Sequence, residues 1–269
     1  MLGMQAPVGP ARPAWRRFVA IGDSFTEGVG DELPDGTLRG WADLVAASLA
    51  RRSPGLQYAN LAIRGRRFHR VLAEQVPAAL EMGPDLVSFA AGGNDALRPG
   101  FDLDRMMDRF DAMVQTFRES GADVVLFRFA DLSQRLPLKR VLYDRIVAMN
   151  DAVLEVGTRQ GAHVIDMFSD PGLAHPAAWS ADRLHLSSLG HRRVAAHVVE
   201  ALGWPEEPTW LSLPEAKAAS WLRSRGADAR WAYSYLGPWI QRRLAGRSSG
   251  DGRVPKRPVL EDVSYTWDQ

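Results

Sequence analysis

The chain has 269 residues, an apolar fraction of 46%, and 33 lysines and arginines set against 32 aspartates and glutamates. The length suits one large domain, or one domain with an appendage, and the near-neutral balance gives no field that would recruit nucleic acid or an anionic membrane. Cysteine is absent, which excludes disulfides and thiolate metal sites.

In chain order, residues 1–14 hold three prolines and no apolar core, unlike a secretory leader. No segment reaches the roughly 18–20 uninterrupted apolar residues of a membrane span, so a cytoplasmic protein is the expectation. Short apolar runs at residues 18–21, 57–61, 86–90, 124–129 and 163–165 predict five strands, and most lack polar alternation, as strands buried on both faces do. Helical periodicity fills the gaps at residues 41–51, 68–82, 103–120 and 138–159. Pro77 interrupts the second of these, and Gly121 stands where the third needs a C-cap. Ser187 is placed to cap a last helix running to Leu202. Strand and helix alternate five times, which predicts a doubly wound α/β fold over residues 1–203. The usual solution is a five-stranded parallel sheet in the order 2-1-3-4-5, with its crevice between the carboxyl ends of strands 1 and 3.

Residues 204–269 differ in texture. They carry six of the nine tryptophans: Trp204, Trp210, Trp221, Trp231, Trp239 and Trp267. Helices are expected near residues 213–225 and 227–244, and "AGRSSGDGRVPKRP" reads as an irregular or disordered basic tail. This region is too short for a good core of its own. It is read as an extension whose tryptophans anchor it to the main body; a lid or a surface for acyl chains is the sharper alternative.

The polar residues fall at the ends of the predicted strands. Ser24 follows strand 1, Gly65 in "NLAIRG" follows strand 2, and Asn94 in "FAAGGNDAL" follows strand 3. "SADRLHLSSLGH" places Asp182 and His185 three positions apart just before the last helix. One loop can thus deliver a carboxylate and an imidazole, with the aspartate orienting the ring so that its other nitrogen takes a proton from Ser24. The Ser24 and Gly65 N–H groups and the Asn94 amide can then converge on an oxyanion.

These four blocks, "GDSFTEG", "NLAIRG", "GGND" and "DRLH", resemble those of the SGNH, or GDSL-like, hydrolases, in the same order and at the same post-strand positions. The resemblance covers about residues 18–202. It implies a three-layer, flavodoxin-like α/β/α fold and ester hydrolysis of a small-molecule substrate with no metal or organic cofactor. Position by position it implies Ser24 as nucleophile, His185 as base, Asp182 as its orienting acid, and Ser24, Gly65 and Asn94 as oxyanion donors. Phe25 stands where the family often has leucine.

The remaining polar residues have plainer readings. Asp23 is expected to bond loop amides, Asp95 to fix the Asn94 loop, and His191 to pack at the start of the last helix. His69, His163, His175 and His197 show no ligand-like grouping. Arg64, Arg66, Arg67 and Arg70 read as a solvated face, the alternative being that one of them binds an anionic part of a substrate. The same site is compatible with acyl transfer to sugar or lipid hydroxyls, and a non-catalytic binding module is the reading from another class.

Overall fold

The computed structural model describes residues 14–133, 135–136, 139–205, 207–215, 231–237, 241 and 248–263. The expected strands are β1 (Arg17–Gly22), β2 (Gln57–Asn60), β3 (Leu86–Ala90), β4 (Asp123–Arg128) and β5 (His163–Asp166). The long helices are α2 (Trp41–Ala50), α3 (Phe68–Glu81), α5 (Leu103–Glu119), α6 (Lys139–Gln160) and α8 (Ser188–Ala201). Three four-residue helices, α1 (Ser24–Glu27), α4 (Gly93–Ala96) and α7 (Pro171–Ala174), sit in loops that follow strands. Helix α3 runs through Pro77. Gly121 (φ 91°) closes α5, donating to Arg118 O while Ala122 N–H reaches Phe117 O, the paired bonds of a left-handed C-cap.

The sheet order is β5-β4-β3-β1-β2-β6. The five expected strands pair in parallel, in the expected order. The sixth, β6 (Arg257–Asp262), adds antiparallel to β2 and corrects both the five-strand count and the reading of the basic tail as irregular throughout. Its reason lies far off in the chain: β2 would otherwise be an open edge, and Lys256 and Arg257 both reach the buried Asp43 of α2. Residues 213–215 are not helical, most of the first helix expected beyond Leu202 lies outside the described residues, and residues 231–237 are helical. Trp210 is buried in the core and Trp204 packs against it under Arg52, so both anchor the extension as expected. Trp221, Trp239 and Trp267 lie outside the described residues.

Alternate residues of β1 feed two cores, which is how a strand buried on both faces behaves. Phe18 and Ala20 join Trp41, Leu44, Val194 and Val198 under α2 and α8. Val19 and Ile21 join Phe89, Phe110, Phe117 and Val153 under α3, α5 and α6. Every residue of α2 is buried, because that helix is sandwiched between the sheet, α8 and the segment leading to β6.

A buried polar network ties the first loop to the last helix. Asp31 accepts from Arg39 Nε (3.0 Å) and Nη2 (3.2 Å), from Gly40 N (3.0 Å) and from the Ser188 hydroxyl. Burial works to raise the Asp31 pKa, but the bonds from Arg39 and Ser188 bring it down to about 2. Replacing Asp31 with alanine leaves the buried Arg39 without its carboxylate and should cost about 3–5 kcal/mol in urea unfolding. A loss within the ~1 kcal/mol range of an exposed pair would show that the network does not hold the loop.

Candidate active site

Strand β1 ends at Gly22, whose φ of 153° and close approach to Ala90 O leave no room for a Cβ. The buried Gln75 side chain of α3 grips that residue from both sides, accepting from Gly22 N (2.8 Å) and donating to Gly22 O (2.9 Å). The chain then turns abruptly into α1, capped by Asp23, whose Oδ1 accepts from Phe25 N (3.2 Å). Ser24 is thereby the first residue of a short helix at the carboxyl end of β1. Neither its N–H nor its hydroxyl makes a hydrogen bond among the described residues.

The glycine block is fixed from two directions. Asn60 bonds Thr26 O through Nδ2 (2.8 Å) and Ala62 N through Oδ1 (3.1 Å), linking the end of β2 to α1. Glu27 accepts from Arg64 N (2.5 Å) and pairs with the Arg64 guanidinium (2.8 Å), which holds the backbone just before Gly65. Gly65 has φ 72°, and its carbonyl accepts from Ser248 Oγ (3.1 Å), so the segment before β6 lies directly on this loop. Gly250 is packed against Arg64 O and Ile63.

Asn94 lies in α4, after β3. Its Nδ2 donates to Asp23 Oδ2 (3.0 Å) and to Arg66 O (3.1 Å), so the asparagine block, the Ser24 turn and the glycine block meet at one side chain. Asp95 accepts from Phe68 N (2.8 Å) and ties the Asn94 loop to the start of α3, as read from the sequence. Asp23 is bonded to loop amides, also as read. Burial pushes its pKa up to about 6, against the lowering effects of the Phe25 N–H, His185 and Asn94.

The last block is a tight turn. Asp182 Oδ1 accepts from Ser180 Oγ (2.6 Å), Leu184 N (3.0 Å) and His185 N (2.9 Å), and Oδ2 meets His185 Nδ1 at 2.5 Å. Burial opposes ionisation of Asp182, but the bonds from the His185 ring and backbone and from Ser180, with the nearby imidazole charge, hold its pKa well below the usual carboxylate range. Arg183 at the turn has φ 62°, the one non-glycine residue in the left-handed region among those described. It is clamped by Trp231: the guanidinium lies 5.0 Å from the indole, and the indole N–H donates to Asp182 O at 2.7 Å.

Ser24, Asn94 and His185 all line one cleft of about 100 Å³, walled mainly by Phe25, Leu97, Phe129, Leu132, Leu173 and Trp179. Ser24 and His185 are not hydrogen-bonded to each other, and Gly65 lies outside the residues lining the cleft. His191 is packed as expected: Nδ1 accepts from Trp41 N (3.2 Å), Nε2 faces Val29 O (3.2 Å), and burial lowers its pKa to about 4. The basic cluster is mostly paired, Arg64 with Glu27 and both Arg66 and Arg70 with Glu74. Among the described residues no helix is long and apolar enough to cross a membrane.

Two supporting residues escaped the sequence reading, Gln75 and Glu27, whereas Trp231, expected as an anchor of the extension, is fastened to the Asp182 turn. Gln75 left one faint signal, a lone polar side chain between Val71 and Ala79 on the buried stripe of α3.

Residues 20–193 match the GDSL-like Lipase/Acylhydrolase family. A lipase of Streptomyces rimosus is 34% identical over 99 residues, a match spanning only 36% of this chain and 37% of that protein. Among solved structures, TesA superposes with a TM-score of 0.58 at 25% identity, covering 70% of this chain and 98% of its own. A variant of Axe2, an acetyl xylan esterase from Geobacillus stearothermophilus, superposes at 0.60 with 19% identity, covering 71% and 96%.

Proposed function

Since the chain belongs to the GDSL-like lipase/acylhydrolase family, we propose that it is a serine ester hydrolase acting on carboxylic esters through an acyl-enzyme on Ser24. The observation that carries this reading is the Asp182–His185 pair at 2.5 Å, delivered to the cleft that Ser24 lines. Asp182 accepts from Nδ1–H, which fixes the tautomer and leaves His185 Nε2 as the base for the Ser24 hydroxyl. Attack on the ester carbonyl transfers the serine proton to Nε2. Collapse of the tetrahedral intermediate returns that proton to the departing alkoxide, and water repeats the cycle to free the acid. The apolar walls suit the acyl group, with the polar edge of Ser24, Asn94 and His185 at the reacting carbon.

The oxyanion donors in this reading are Ser24 N–H, which has no other partner among the described residues, Gly65 N–H and Asn94 Nδ2. The oxyanion draws on an Asn94 N–H otherwise bonded to Asp23 or Arg66 O. Asn94→Ala should therefore reduce kcat by about 10²–10³ on a p-nitrophenyl ester. An unchanged kcat would remove Asn94 from the role. The reading as a whole is tested with a fluorophosphonate probe and mass spectrometry: a single adduct on the peptide containing Ser24 supports it, and an unlabelled or His185-independent reaction counts against it.

A further inference from the structure

A second cavity, of about 310 Å³, opens on the far side of α4 from the acyl cleft. Gly93, Asn94 and Leu97 face the cleft, whereas Asp95 and Arg98 line this cavity, so one short helix separates the two. Its walls come from the first turn of α3, the loop after α4 and the first turns of α5.

Four guanidinium groups line it: Arg67, Arg98, Arg105 and Arg109. None makes a side-chain ion pair or hydrogen bond among the described residues, and Arg98 Nε is buried without a partner. Elsewhere arginines find carboxylates, as Arg39, Arg64 and Arg193 do. The two carboxylates in the cavity are already employed, Asp95 on Phe68 N and Asp102 as the N-cap of α5. His69 joins them on the wall, its pKa lowered by burial and by Arg67, Arg70 and Arg109. Four guanidinium groups against two carboxylates leave a net charge of +2 around a hollow, which favours an anion there.

We propose that this cavity binds a dianionic phosphate monoester. The charge matches: a phosphate monoester carries about −1.5 to −2 at neutral pH and offers three strong acceptor oxygens. The donors match as well, because planar guanidinium forks bind phosphate in bidentate fashion where a lysine is only a point charge. The phosphate is carried either on the alcohol part of the ester or on a separate effector. The first case rests on the esterase reading; the binding itself does not.

Calorimetric titration of the full chain with inorganic phosphate, at matched ionic strength in chloride, should show saturable binding. Arg105→Ala and Arg109→Ala, both exposed positions, should each weaken it about tenfold or more, as expected for a charge-assisted bond. Their turnover of p-nitrophenyl acetate should equal that of the parent. A higher kcat/KM for the acetyl ester of a phosphorylated sugar than for its unphosphorylated counterpart, lost in Arg105→Ala, places the phosphate on the substrate. Equal turnover of the two, with binding intact, makes it a separate effector. Absence of saturable binding, or binding undiminished in both variants, overturns the site. Since calorimetry needs no turnover, a chain that binds phosphate but hydrolyses nothing would refute the esterase reading and leave this one standing.

Discussion

Ser24→Ala should lower kcat for p-nitrophenyl ester hydrolysis by about 10⁴–10⁶ while the melting temperature stays unchanged. The loss is large because Ser24 carries the one hydroxyl among the described residues lining the cleft, the neighbouring Thr26 of α1 being fully buried. Stability should survive because the Ser24 hydroxyl makes no hydrogen bond among the described residues. Its backbone carbonyl, which accepts from Gly28 N and Val29 N at 3.1 Å each, is retained by alanine. The N-cap bond from Phe25 N to Asp23 is retained too. Binding of the ester should persist, since the apolar wall is intact, so the defect should appear in kcat and not in KM. Residual turnover near the parent level, with the protein folded, would mean that the acyl group is never carried by Ser24.

Asp182→Asn should cost about 10⁴ in kcat, through the tautomer and not through the fold. Three donors converge on Oδ1, namely Ser180 Oγ, Leu184 N and His185 N, and they select the carbonyl oxygen of the new amide for that position. The amide nitrogen is then left facing His185 Nδ1, where Oδ2 now sits at 2.5 Å. A donor there forces Nδ1 to accept, moves the ring proton to Nε2, and deprives Ser24 of its base. Circular dichroism should be unaltered, because the turn keeps its Oδ1 bonds. A loss of less than about tenfold would show that the carboxylate does not set the tautomer that the reaction uses.

Much of this arrangement was legible in the chain because its signals are local. Five short, largely apolar runs separated by helical stripes name a parallel sheet, and the order of its strands follows from the common doubly wound pattern. The four polar blocks were legible for a related reason: each directly follows a strand or precedes a helix, so sequence position alone puts it at one end of the sheet. β6 was not legible. "RPVLED" contains a proline and three charged residues and is mostly exposed, which is tolerable only in an outer strand. What makes it a strand is its partner some 200 residues earlier, Gln57 pairing with Asp262. The grip of Gln75 on Gly22 was hidden for the same reason. Spanning 53 positions, it depends on how α3 settles on β1, and nothing in the neighbourhood of residue 75 encodes that.

The position of β6 also bears on how the protein is made. A chain synthesised in order has its Ser24, Gly65, Asn94 and His185 segments made before Arg257–Asp262 exists. In that interval β2 presents unpaired N–H and C=O groups, the buried Asp43 lacks Lys256 and Arg257, and the Gly65 loop lacks the bond from Ser248. The nascent molecule therefore passes through a stage in which its chemistry is encoded but its sheet is open at one edge.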